Sequence, residues 1–186
     1  PNFPERVREK MYKTSVEFAK EIGYRNVGTI EFLYDPETEN YYFLEVNTCL
    51  QVEHGVTEEV LGIDLVEMMV KEAANELVNL YTYAKKPKGH SFQARIYVED
   101  SFHLFQASAG KLDRVVLSDL SRNETWVRDE LSVTTMDEPM IAKLIVHGNS
   151  REEALDKLSK VLMETKFYGI KTNLQYLRKL LAEGQS

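Results

Sequence analysis

The run "FLEVNTCLQVEHGVTEE", residues 43–59, crowds Glu45, Glu53, Glu58, Glu59, Asn47, Gln51, His54 and Cys49 into a strand leading to a loop. A second acidic strand residue, Glu31, lies upstream in "NVGTIEFLYD". If the two β-rich runs form a hairpin symmetric about Thr38, Glu31 stands opposite Glu45. Directly opposed residues hold their Cβ atoms about 5 Å apart, where like charges destabilise the pair. A cation between the two carboxylates removes that penalty. Asn47, two residues on from Glu45, shares its face. An all-oxygen donor set of this kind suits Mg²⁺ or Mn²⁺ better than zinc. The same spacing is also met by two solvated glutamates with a shifted register, and the residues alone leave both open.

The elements that must position these residues follow from periodicity and punctuation. "PERVREKMYKTSVEFAKEIG" reads as a helix with Pro4 at its start and Gly23 as its stop, with Val7, Met11, Phe18 and Ile22 on one face. "YYFLEVN" pairs with the earlier strand across the polar turn "PETEN", and Ile30, Phe32, Leu44 and Val46 are expected on the core side. Residues 48–56 read as a loop. Asp64 and Glu67 have capping-box spacing and open a helix expected through "LVEMMVKEAANELVNL". The Lys-rich "YAKKPKGH" marks an internal boundary. Beyond it, "SFQARIYVE", "GKLDRVVL", "ETWVRD" and "MIAKLIVHG" read as strands. Ser150 with Glu153, and Thr172 with Gln175, cap two final helices. The expected fold class is α+β in two parts, with Trp126 in core or rim, Gly55 in a turn and the Lys143 head in water.

With 186 residues, 43% of them apolar, the chain can bury a real core. A net charge of −7 argues against nucleic acid or an anionic membrane as partner. No apolar run approaches the roughly 20 residues of a membrane span, and no signal peptide is visible. One cysteine cannot form an internal disulfide, so a reducing, cytoplasmic setting is expected. The first residue is Pro1, so the chain is expected to be a piece of a longer one.

At "EVNTCLQVEHGVTE" the chain resembles the signature of biotin carboxylases, E-[MV]-N-x-R-[LI]-Q-V-E-H-x-V-T-E. "GTIEFL" resembles the strand before it, and "GHSFQARIYVED" resembles the family segment G-H-A-[IV]-E-x-R-[IL]-x-[AV]-E-[DN]. "DEPMIAKLIVHGNSREEALDKL" and "GIKTNLQYLRKLL" resemble the end of the same enzyme, so the likeness spans nearly the whole chain. Gly55, where acyl-CoA carboxylase subunits usually have Pro, and the wording of "FLEVNT", "TWV" and "DEPMIAKLIVHG" lean toward the urea carboxylase part of urea amidolyase-type proteins. The resemblance implies the C-terminal half of an ATP-grasp domain over residues 1–83, followed by a biotin carboxylase C-terminal domain over 84–186. It implies Glu31, Glu45 and Asn47 as ligands of Mg²⁺ or Mn²⁺ against the phosphates of ATP. Gln51, the Val52 backbone and Arg95 would hold bicarbonate. Glu53 would be the base that deprotonates it for attack on the γ-phosphate, and Arg95 would stabilise the biotin anion. His54 reads as structural.

Cys49 departs from the pattern, which has Arg there. A neutral thiol cannot supply the bidentate donors of a guanidinium. Losing one charged transition-state contact commonly costs about 10²- to 10³-fold in rate. A slow or specialised carboxylase, a degenerate copy, or an enzyme using another cation all fit, and a redox role for the thiol is a further option.

The glycine-rich ATP lid of the family has no counterpart in these residues, whose nine glycines are scattered. The isolated chain is therefore expected to bind ATP weakly and to turn nothing over. Expected partners of the full-length enzyme are ATP, bicarbonate, a biotin carrier domain, a carboxyltransferase domain or subunit, and a second copy in a homodimer. A non-catalytic interaction module is the competing reading: Cys49 favours it, and the retained Glu31, Glu45, Asn47, Gln51, Glu53 and Arg95 oppose it.

Overall fold

The computed structural model describes residues 3–76, 79 and 86–184. They divide into two compact units: the first takes its residues from Pro1–His54 and Ile63–Ala84, the second from Gly55–Gly62 and Lys85–Ser186.

In the first unit, α1 (Glu5–Glu21) starts after Pro4. Gly23 ends it at φ +64°, while the Gly23 and Tyr24 amides bond back to the Lys20 and Ala19 carbonyls at 3.1 and 2.8 Å. That double bond is a Schellman closure, which needs the left-handed region that glycine enters freely. Strands β1 (Thr29–Tyr34) and β2 (Tyr41–Asn47) form the antiparallel hairpin. Helix α3 (Leu65–Ala73) begins where the Asp64 carboxylate accepts the Glu67 amide at 2.7 Å. It stops earlier than the apolar pattern suggests, because Asn75 takes φ +57° and closes a second Schellman turn through Glu76 to Lys71. Most of the expected remainder, residues 77, 78 and 80, lies outside the described residues.

The apolar faces of this unit are only partly covered. Of the α1 face, Val7 is buried but Ile22 is 55% exposed, and on the hairpin Leu44 is 60% exposed instead of facing the core. The pairing explains Leu44. Glu31 pairs with Glu45, but Phe32 pairs with Phe43, so Leu44 is the extra residue of a β-bulge. A bulged residue has no partner across the ladder, and the alternation of faces restarts beyond it.

The second unit holds the buried core. Its sheet has the order β3 (His90–Tyr97), β10 (Met140–Gly148), β8 (Arg122–Thr125), with β10 in the centre. Only the start of "ETWVRD" is strand; Trp126 leaves β8, sits 41% exposed and donates its indole N–H to the Met140 carbonyl at 2.9 Å. Helix α4 (Arg151–Glu164) starts at Ser150, whose hydroxyl accepts the Glu153 amide, and it packs Ala154, Leu158, Val161 and Leu162 against one sheet face. Ile96, Leu144 and Val146 meet it there, each no more than 1% exposed. Three short ladders surround this core: β4 (Glu99–Asp100) with β5 (Gln106–Ala107), β6 (Gly110–Lys111) with β9 (Ser132–Val133), and β7 (Arg114–Val116) with β11 (Lys166–Tyr168). Helix α5 (Leu174–Gly184) completes the unit.

Helix α2 (His54–Leu61) begins inside the stretch expected to be loop. Gly55 is accordingly not a turn residue. It is buried in the first turn of α2, and a Cβ there would overlap the Cδ1 of Ile145, which is 1% exposed. Gly55→Ala is expected to destabilise the second unit by about 1–3 kcal/mol through overpacking. Adding Ile145→Val, which removes the offending methyl, is expected to restore part of the loss; denaturation midpoints of Gly55→Ala, Ile145→Val and the double variant test this.

Candidate active site

In the first unit the hairpin places Glu31 directly opposite Glu45, and Thr29 opposite Asn47. This is the expected pairing, but the strands reach it only through the bulge: nearer the turn they pair one residue off the count about Thr38, Tyr34 with Tyr41 and Phe32 with Phe43. Two unit charges about 5 Å apart repel by roughly 3 kcal/mol at a surface-like effective dielectric of about 20. One neighbour offsets part of this: the Gln51 amide donates to Glu31 Oε1 at 3.3 Å. That bond is long, and a hydrogen bond to a charged group contributes only about 1.5–3 kcal/mol at best. The donor set at this place is all oxygen and fits a hard divalent cation held by Glu31, Glu45 and Asn47.

The loop after β2 is set by its own polar groups. Asn47 Oδ1 accepts the Cys49 amide at 3.0 Å, an Asx-type turn that uses one of its two lone pairs. Tyr24, just past α1, donates its hydroxyl to the Val27 carbonyl at 3.0 Å and sits 3.3 Å from the Thr48 carbonyl, tying the entrance of β1 to the exit of β2. Gln51 then turns the chain into α2: its carbonyl accepts the His54 amide at 3.1 Å and lies 2.8 Å from His54 Nδ1. His54 is thus a turn-closing residue. Cys49 is exposed, and so are Val52 and Glu53 beside it. Within the first unit, an arginine at position 49 would therefore meet no packing obstacle.

Arg95 lies in the second unit, in β3. Its register neighbours across the sheet are Lys143 in β10 and Glu124 in β8, so the three side chains form a row on the face away from α4. Lys143 is not a surface lysine. It is only 9% exposed, and its ammonium is paired with Glu124. Glu124 also accepts from Arg122 at 2.5 Å, and Arg122 reaches Glu58, itself 3% exposed, at 2.7 Å. Burial alone would push the Glu124 carboxyl up; the hydrogen bond and charge of Lys143, with Arg122, outweigh it and leave its pKa lowered. This charged layer was not picked out from the sequence. The signal was present in "MIAKLIVHG", where one lysine interrupts a run too apolar to be anything but a central strand. A buried ammonium must be paired.

Comparison with known proteins follows the same division. Residues 93–185 match the biotin carboxylase C-terminal domain family, and residues 1–81 match the family described as carbamoyl-phosphate synthase L chain, ATP binding domain. The chain is 41% identical over 97% of its length to the urea amidolyase of Saccharomyces cerevisiae, of which it covers 10%. It is 44% identical over 95% of its length to biotin carboxylase 2 of Bacillus subtilis, of which it covers 40%. Among solved structures, Kluyveromyces lactis urea carboxylase superposes with a TM-score of 0.92 at 41% identity, over 97% of this chain and 16% of that one. The biotin carboxylase–β,γ-ATP complex of Campylobacter jejuni gives 0.87 at 36%, over 97% of this chain and 40% of that one. The chain thus spans well under half the length of these relatives. No helix among the described residues is long and apolar enough to cross a membrane. With both of its parts matched in order, this chain belongs to the biotin carboxylase family of ATP-grasp enzymes, as a fragment homologous to the biotin carboxylase portions of urea amidolyase and acyl-CoA carboxylases.

Proposed function

We propose that the chain is the metal-binding and C-terminal part of an enzyme that carboxylates biotin with ATP and bicarbonate, within a urea carboxylase-like or acyl-CoA carboxylase-like protein. The observation that carries this reading is the opposed Glu31–Glu45 pair with Asn47 on the same face, followed at once by the "QVEH" turn. In this reading residues 1–83 complete an ATP-grasp domain and residues 84–186 form the biotin carboxylase C-terminal domain. Mg²⁺ or Mn²⁺ on Glu31, Glu45 and Asn47 supplies charge neutralisation for the phosphoryl oxygens.

The chain's own residues do the rest. Gln51 and the Val52 backbone hold bicarbonate, and Glu53 removes its proton. The freed oxygen attacks the γ-phosphate, ADP leaves, and the resulting carboxyphosphate splits to CO₂ and phosphate. Arg95 binds bicarbonate and stabilises the negative charge developing on the acceptor, a fixed cation in a water-poor site. The full-length protein would work with a biotin carrier domain, a carboxyltransferase partner and a second copy in a homodimer; the dimeric biotin carboxylase domain of Hydrogenobacter thermophilus 2-oxoglutarate carboxylase, in complex with MgADP and bicarbonate, supports the ligands. The single cysteine, unpaired in this structure, supports a cytoplasmic location. The isolated 186 residues are expected to be inactive.

The experiment is transfer of label from [¹⁴C]bicarbonate to free biotin by the full-length protein. MgATP-dependent labelling is expected. Its absence, with ATP still bound, would favour the interaction-module reading that Cys49 supports.

A further inference from the structure

Asn173 is 6% exposed and stands immediately before α5. Its carbonyl accepts the Leu177 amide at 3.0 Å, so it holds the N-cap position that the sequence pattern assigns to Thr172. An N-cap Asn ordinarily turns its side chain onto its own helix. This one does not. Its Nδ2 donates to the Arg95 carbonyl at 3.0 Å, its Oδ1 accepts the Tyr97 amide at 3.0 Å, and its own amide donates to the Tyr97 carbonyl at 3.1 Å. Strand β3 is the edge of its sheet, with β10 on its other side. Those three backbone groups are the ones that a further strand would satisfy. Asn173 therefore acts as a one-residue strand, and it spans the backbone that carries Arg95.

We infer that Asn173 is a positioning residue for Arg95, on the reading that Arg95 binds bicarbonate and the acceptor. The opposite edge of β3 is paired with β10, where Lys143 stands across from Arg95. Arg95 is thus clamped between two elements, and the planar guanidinium fork requires such a fixed base to present its donors in one orientation. A lysine, a flexible point charge, depends less on where its backbone sits. Asn173→Asp keeps the acceptor for Tyr97 but turns a carboxylate oxygen toward the Arg95 carbonyl, so the peptide planes at residue 95 must rotate.

The test uses the full-length protein and reads biotin-dependent ADP release for Asn173→Asp and Asn173→Ser, each alone and in an Arg95→Lys background. The serine variant, too short to span both groups on β3, serves if the aspartate variant does not fold. Misplacement of a reacting group by about 1 Å costs up to about 100-fold in rate. The expected result is a 10- to 100-fold fall in kcat with the KM for ATP unchanged, shrinking to below about 3-fold in the Arg95→Lys background. Equal losses in both backgrounds, or no loss in either, would overturn the inference. Unchanged turnover of Arg95→Lys alone would instead refute the role given to Arg95, and the positioning role with it.

Discussion

Replacing Glu53 by Gln in the full-length protein is expected to lower bicarbonate-dependent ADP release by about 10²- to 10⁴-fold, the usual contribution of a positioned general base. The substitution keeps the shape and removes the proton acceptor. Glu53 is exposed and stands one residue before α2, in a turn whose geometry is set by the Gln51 carbonyl and His54. The variant should therefore fold and bind ATP normally. The loss should appear in kcat, since the KM for ATP is expected to follow the proposed metal ligands Glu31, Glu45 and Asn47 on the hairpin. Steady-state kinetics with bicarbonate varied at saturating ATP separates the two. A variant with near-normal kcat and a raised KM for bicarbonate would assign Glu53 to binding and leave the base elsewhere.

Replacing Lys143 by Met is expected to destabilise the second unit by about 3 kcal/mol, the lower end for breaking a buried ion pair by removing one partner. The methionine fills the same space, so the loss comes from Glu124 and the groups behind it. Glu124 then retains Arg122 but loses its ammonium partner on β10. The pH dependence follows from the sign. The folded pKa of Glu124 is held below its ordinary 4.5, so its contribution is complete above that value and is lost as pH falls through the lowered one. In Lys143→Met the Glu124 pKa should rise toward or above 4.5, and that acid-side dependence should flatten or reverse. Hydrogen exchange of the β10 amides in the full-length protein reads both effects. Unchanged protection at neutral pH would mean that Lys143 reaches solvent at little cost.

The parts of this molecule legible in its residues were those decided locally. The hairpin itself was legible from its two β-rich runs and polar turn, but its register was not: beside the turn the strands pair one residue off the symmetric count about Thr38, and the bulge at Leu44 brings Glu31 opposite Glu45. Gly23, Asp64 and Ser150 marked helix ends through hydrogen bonds made within a few residues. What escaped was decided by neighbours distant in the chain. Nothing around Leu44 announces a bulge, and the face of Leu44 depends on it. Gly55 looked like a turn glycine because its obstacle, Ile145, lies 90 positions away in sequence. Asn173 followed a plausible Thr cap, and its partners are on β3. The pairing of Lys143 could have been inferred from the apolar run around it, but the identity of Glu124 as partner needed the order of three strands. The site divides in the same way: its carboxylates were found by spacing, whereas the roles of Gln51, Glu53 and Arg95 rest on family resemblance.

We propose that this chain, with Cys49 where the resembling signature has arginine, works as part of a biotin carboxylase. The most direct measurement is ADP release by the full-length protein with Mg²⁺, bicarbonate and free biotin, comparing the natural sequence with Cys49→Arg. Biotin-stimulated turnover by the natural sequence is expected, with the arginine variant up to about 10²- to 10³-fold faster if no other cation stands in. Turnover by the arginine variant alone, with none above background from the natural sequence, would contradict it and mark the chain as a disabled copy.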